Sequence, residues 1–158
     1  MKAMIINFSG NVGKSTIARY LIAPRLEDCQ VVSVESINDN EHEGDNQRGS
    51  ALGAILDEVV MVHDNVILDV GSSNAETVVN LMSKYSGAHE EFDLFIVPVI
   101  AKPIVINDTI STVQALGDMG VPASKVVLML NQIDVETDIG YEFKRLEEQD
   151  GIILSYDP

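Results

Sequence analysis

A doubly wound α/β fold, with a mostly parallel sheet and helices on both faces, is what this sequence predicts, on three observations. Short apolar runs rich in Val and Ile recur along the chain, segments with helical spacing separate them, and the first run passes directly into a glycine-containing turn. Most runs are continuously apolar rather than alternating, as in parallel strands covered on both faces. Strand–helix alternation at these lengths implies right-handed crossovers. The 158 residues suit one compact domain, spanning 1–158, and not two.

The predicted strands are Ala3–Phe8, Gln30–Glu35, Asn65–Val70, Phe92–Val99, Lys125–Asn131 and Gly151–Ser155. Ile17 and Leu21 mark a first helix, stopped at Pro24, whose ring cannot continue it. Leu52, Ile55, Leu56 and Val59 mark a second. The third carries Val78, Leu81, Met82 and Tyr85 and opens on Ser73-Asn74-Ala75-Glu76, which has capping-box spacing. Ile106, Ile110, Val113 and Leu116 mark a fourth, ended by Gly117 and Gly120. Ile139, Phe143 and Leu146 mark a short fifth. Segment 36–49 is polar, acidic and non-periodic, and reads as a long functional loop. The sequence reaches Pro158 just after its last predicted strand, where one more helix is expected to cover the sheet.

Composition bounds the function. Apolar residues make up 46% and charged residues 22%, the balance of a folded protein. With 25 acids against 10 bases the net charge is −15, which argues against direct binding of nucleic acid or an anionic membrane, since both need a basic patch. One cysteine, Cys29, excludes an internal disulfide framework and fits a reducing compartment. Met1–Phe8 is too short for a secretory signal. Leu94–Ile106 is interrupted by Pro98, Lys102 and Pro103 and is too short to span a bilayer. A cytoplasmic location is expected. His42, His63 and His89 lie far apart without paired ligand spacing, and Cys29 has no catalytic partner near it in sequence, so it reads as a small buried hydrophobe.

The chemistry lies at Phe8-Ser9-Gly10-Asn11-Val12-Gly13-Lys14-Ser15-Thr16, between the first strand and the first helix. Gly-Lys-Ser at such a turn is what a phosphate cradle requires. Glycine lets successive N–H groups converge on an anion, and the helix start adds unpaired N–H groups and its positive dipole end. In such a cradle Lys14 is expected to reach the β- and γ-phosphates and Ser15 to place its hydroxyl on Mg²⁺. The overall negative charge does not defeat this, because surface charges are screened over about 8 Å at physiological salt.

The stretch Phe8–Thr16 resembles the deviant Walker A loop of the ParA/MinD family of partition and positioning ATPases, and Met1–Leu26 is similar to the opening of the StbB/TraL plasmid stability and conjugation proteins. The resemblance implies ATP and Mg²⁺ as ligands, bound by Ser9, Gly10, Asn11, Val12, Gly13, Lys14, Ser15 and Thr16. It also implies a homodimer. Ser9 stands where the family has its signature lysine, which reaches across a nucleotide-bridged dimer, and Asn11 replaces the second of the paired glycines. Asparagine tolerates left-handed backbone better than most residues, so the loop's shape is expected to persist. With no lysine at position 9, hydrolysis is expected to be slow.

Three further sites complete the expectation. The strand Asn65–Val70 brings Asp69 to its end, where phosphate-loop enzymes carry an acid for the Mg²⁺ water shell; the bland alternative is an aspartate capping a turn. Glu35 matches the acid that the resemblance implies at the end of the second strand, giving Ser15, Asp69 and Glu35 as the metal set and Lys14 with Asp69 as the catalytic pair. The family's second acid in that segment falls on Ile37, which cannot polarise water, so Asp39 substitutes only if the loop bends differently. Asp39, Glu41, Glu43 and Asp45 otherwise read as a solvated acidic face, or as a dock for a basic protein partner such as a DNA-binding adaptor.

Asn131 and the turn at Tyr156-Asp157-Pro158 resemble the adenine pocket of the same family, with Asn131 and Pro158 against the base. Asn131-Gln132-Ile133-Asp134 also resembles the guanine-reading Asn-Lys-x-Asp motif, with Gln132 in the lysine position. The loop favours adenine. The function expected is a slow ATPase or nucleotide switch in plasmid stability, partition or transfer. The alternatives are a non-hydrolysing nucleotide-dependent interaction module and a GTP switch using Asn131 and Asp134.

Overall fold

The computed structural model describes residues 1–34, 52–85 and 87–149. Five strands, β1 (Lys2–Ile5), β2 (Gln30–Val34), β3 (Val66–Val70), β4 (Leu94–Val99) and β5 (Val126–Leu130), form one sheet in the order β2-β3-β1-β4-β5. Every pairing is parallel. The α/β fold with a parallel sheet is therefore the one the apolar runs predict. The sixth expected strand, Gly151–Ser155, lies outside the described residues.

Residues along each strand alternate between two packed layers. Ala3 and Ile5 of β1, Ile67 of β3 and Ile96 of β4 pack on Ile17 and Ala18. These belong to α1, the helical run 14–25, which opens as an α turn (Lys14–Thr16), widens to a π stretch (Ile17–Ile22) and tightens to a 3-10 turn (Ala23–Arg25). Pro24 sits inside that last turn, near its start, where a missing N–H is tolerated. On the other face Met4 and Ile6, Leu68 and Val70, and Phe95 and Val97 pack with α2 (residues 52–60) and α3 (Ser72–Lys84). Leu52, Leu56 and Val60 are the buried side of α2. Cys29 is half-buried against the α1 layer, and burial raises its thiol pKa.

Two helical expectations are corrected. The cap of α3 is Gly71, so Ser73 falls within the first turn and not at the cap position that a capping box requires. Three consecutive residues with cap-forming side chains, Ser72 to Asn74, disguised the start. In α4 (Pro103–Asp118) the buried face is Val105, Ile106, Thr109, Thr112 and Leu116, with Ile110 and Val113 only half-buried. The stripe is rotated because the two threonines turn inward to hydrogen-bond with Asn7 and Phe8. The short last helix is two turns, α5 (Ile139–Glu142) and α6 (Lys144–Glu147), hinged at the fully buried Phe143. Asp138 caps the first, accepting from Tyr141 N at 3.1 Å.

Among the described residues, no helix is long and apolar enough to cross a membrane.

Candidate functional site

The site forms at the carboxyl end of β1, flanked by β3 and β4, where strand order reverses and the crevice of an open α/β sheet lies. After Ile6, whose N–H still bonds Ile96 O, the backbone leaves the ladder. Three residues of α4 then take over. The fully buried Asn7 donates through Nδ2 to Thr109 Oγ1 and to Pro98 O, both at 2.8 Å. Phe8 N donates to Thr112 Oγ1 at 3.0 Å, and Ser9 Oγ donates to Asp108 Oδ2 at 2.5 Å. Asn7 Oδ1 closes the turn by accepting from Ser9 N at 2.8 Å. Asp108, Thr109 and Thr112 lie on one helical face, so a single element fixes three successive residues.

The loop that follows presents unpaired donors. The N–H groups of Gly10, Asn11, Val12 and Gly13 make no hydrogen bond to any other described residue. Asn11 has φ 57° and Gly13 φ 89°, both left-handed. Asparagine tolerates that geometry, so position 11 keeps the loop's shape without glycine. Gly13 has a second reason to lack a side chain: a Cβ there would stand 2.3 Å from Asn131 Nδ2.

β5 holds the loop from behind. Asn131 Nδ2 donates to Val12 O at 2.9 Å and Gln132 Nε2 to Asn11 O at 3.1 Å. A peptide unit carries its C=O and the next N–H in opposite directions. Anchoring the carbonyls of Asn11 and Val12 therefore turns the N–H groups of Val12 and Gly13 the other way. The arrangement is a nest of main-chain donors suited to an anion.

Lys14 is 8% exposed. Its ammonium donates to Ser9 O at 2.6 Å and Asn7 O at 3.1 Å, leaving one of its three donors over. Burial lowers its pKa from the ordinary 10.5 to about 8, and the attraction of Asp69 opposes the fall. Asp69, opposite Ile5 in the β1–β3 register and 2% exposed, has an Oδ2 with no hydrogen-bond partner among the described residues. A buried carboxylate oxygen left in that state costs free energy unless a cation or donor arrives.

A cavity of about 280 Å³ gathers these groups, lined by Gly10, Asn11, Gly13, Lys14, Ser15, Thr16, Asp69, Gly71 and Ser72. Six of the expected loop residues and Asp69 thus share one pocket. Ser9 and Val12 are buried behind the loop, and Asn131 supports its back. Asp134 and Gln132 line a separate cavity of about 750 Å³ with Lys102. Glu35, Ile37, Asp39, Glu41, His42, Glu43, Asp45, Tyr156, Asp157 and Pro158 lie outside the described residues.

The donor set fits a divalent cation at one point: Ser15 lines the pocket with Asp69, whose second oxygen is orphaned. Asn7, Asp108, Thr109 and Thr112 were not singled out by sequence reasoning. The two threonines, at positions 109 and 112 within an otherwise apolar helix stripe, were the signal available. No protein-family model matches the chain, and no curated protein matches it.

Proposed function

We propose that this chain binds Mg·ATP at the pocket between the loop and Asp69, and acts as a slow ATPase or nucleotide switch. The observation that carries the reading is the run of four unpaired N–H groups, Gly10 to Gly13, beside the Lys14 ammonium in a pocket that also holds an orphaned carboxylate. An anion alone does not suit that carboxylate; an anion accompanied by a divalent cation does. Ser15 and Asp69 would hold the ion, Ser15 directly and Asp69 through its water shell, and the ion would neutralise charge on the phosphoryl oxygens.

In hydrolysis, water attacks the γ-phosphorus and the bond to the bridging oxygen breaks. Lys14 and the amides of Gly10–Ser15 hold the charge that develops. Ser9 at the position of the signature lysine supports a slow rate. The role in plasmid stability, partition or transfer rests on the resemblance of Met1–Leu26. A basic DNA-binding adaptor is the partner proposed for this acidic chain.

Calorimetric titration with ATP, with and without Mg²⁺, tests the reading. Saturable Mg²⁺-dependent binding lost in Lys14→Ala is expected, and equal binding by that variant overturns it. Phosphate release abolished by Lys14→Ala would eliminate the purely binding alternative. A GTP switch is the second reading, favoured by Asp134 in the cavity beside the loop. A thermal shift selective for Mg·GTP and lost in Asp134→Asn would replace adenine with guanine.

A further inference from the structure

The chain leaves the β1–β4 ladder at a single side chain. Bonds in a parallel pair are evenly spaced. After Ile6 N–H, which bonds Ile96 O at 3.0 Å, the next donor due is Phe8 N–H and the next acceptor is Pro98 O. Phe8 N–H goes instead to Thr112, and the Asn7 carboxamide nitrogen takes Pro98 O at 2.8 Å. The same nitrogen donates to Thr109 Oγ1, whose own proton goes to Val105 O. The carboxamide oxygen accepts from Ser9 N–H, two residues on, which closes an Asx turn. The main-chain carbonyls at the two ends of that turn, Asn7 O and Ser9 O, are the two that hold the Lys14 ammonium, at 3.1 Å and 2.6 Å. Asn7 and Thr109 are fully buried.

We propose that Asn7 and Thr109 are positioning residues that set the Lys14 ammonium for a phosphoryl group, Thr109 acting through the Asn7 carboxamide. The inference rests on the Mg·ATP reading and adds to it a support on a second element. A lysine head rides on a flexible four-carbon stem, so its direction must be imposed from outside. Here two carbonyls take two of its three donors and leave one for a ligand in the pocket that Lys14 lines. Where that last donor stands depends on both carbonyls, and the Asn7 side chain ties the two together. It pins its own residue to β4 and draws Ser9 into the turn. Thr109 gives the carboxamide its sense: with Thr109 Oγ1 and Pro98 O both taking hydrogens from the nitrogen, the oxygen faces Ser9. Without the Thr109 hydroxyl one buried amide hydrogen is left unpaired, and the carboxamide loses the contact that holds it in place. The turn then loosens, and the ammonium with it.

Truncating Asn7 would strip three buried partners at once and endanger the fold, so the test is made at Thr109. The full chain is titrated calorimetrically with a non-hydrolysable ATP analogue and Mg²⁺, as wild type, Thr109→Val, Thr109→Ser, Met82→Ala and Lys14→Ala. Met82 is fully buried in α3 and touches no residue of the turn, so its truncation controls for lost stability, which urea denaturation of each variant measures. Thr109→Val keeps the shape and deletes the acceptor; it is expected to weaken the analogue about tenfold, with Met82→Ala within about twofold of wild type. Thr109→Ser, which keeps the hydroxyl, restores the affinity. Wild-type affinity in Thr109→Val, equal weakening in Met82→Ala, or no recovery in Thr109→Ser overturns the inference. Any of these leaves the Mg·ATP reading in place, provided Lys14→Ala still weakens binding. Wild-type protein that takes up no nucleotide overturns the reading and the inference together.

Discussion

Ser9 Oγ donates to Asp108 Oδ2 across 2.5 Å, joining the start of the loop to the second turn of α4. The same serine gives its N–H to Asn7 and its carbonyl to the Lys14 ammonium, so all three of its polar groups are engaged. Removal of either partner of the Ser9–Asp108 bond is expected to lower stability by about 1–3 kcal/mol. Urea denaturation of Ser9→Ala, Asp108→Ala and the double variant measures this. The double variant is expected to lose less than the sum of the singles, since one bond is removed in each; strict additivity would show the two residues to be independent.

Thr112 accepts from the backbone of Phe8. Thr112→Val keeps the shape and deletes the acceptor, leaving a part-buried N–H unsatisfied. A loss of about 1–3 kcal/mol is expected, with Thr112→Ser recovering most of it. If the valine variant matches wild type in denaturation, the bond is not contributing.

Gly13→Ala combines two penalties. Left-handed backbone on a residue with a Cβ costs about 1–3 kcal/mol, and the new carbon overlaps Asn131 Nδ2 at 2.3 Å. Pairing it with Asn131→Ala should relieve the overlap and leave the backbone cost, so the double variant is expected to be more stable than Gly13→Ala alone. The reverse ranking by thermal unfolding would place the conflict elsewhere.

With a Lys14 pKa lowered to about 8, the free protein presents the ammonium below that pH and the neutral amine above it. Phosphate is attracted only by the charged form. Nucleotide affinity is therefore expected to hold below about pH 8 and to fall as pH rises through it, a profile read by titration from pH 6.5 to 9.5. The same depressed value makes the charged lysine a cost to the empty fold below about 8, relieved as pH climbs toward 10.5. An affinity that is flat across this window refutes the assignment.

Asp69 opposes the fall in the Lys14 pKa. Asp69→Asn removes that attraction, so the pH midpoint of nucleotide binding is expected to move downward. Mg²⁺-dependence of binding should weaken in the same variant. A midpoint that moves upward would mean that the two side chains do not interact as described.

The sheet was legible because burial on both faces leaves little freedom in residue choice: Val66 to Val70 reads as a strand from its apolar character alone, and its paired neighbours follow. Gly13-Lys14-Ser15 was legible because few backbones other than a strand-to-helix turn need that order. The α4 clamp was not. Thr109 and Thr112 look like polar interruptions of an apolar stripe, and only the distant partners Asn7 and Phe8 show why they face inward. Local pattern carries the elements, whereas partnerships across roughly a hundred residues emerge from topology.

The amides of Asn131 and Gln132, reaching the outer side of the loop, have a thermodynamic consequence. A glycine-bearing turn left alone samples flipped peptide planes, and each must be frozen when a guest arrives. Here two planes are locked as the polypeptide folds, so that ordering entropy is lost then and does not burden association. Severing both struts is expected to leave the pocket's composition intact while making its occupancy costlier.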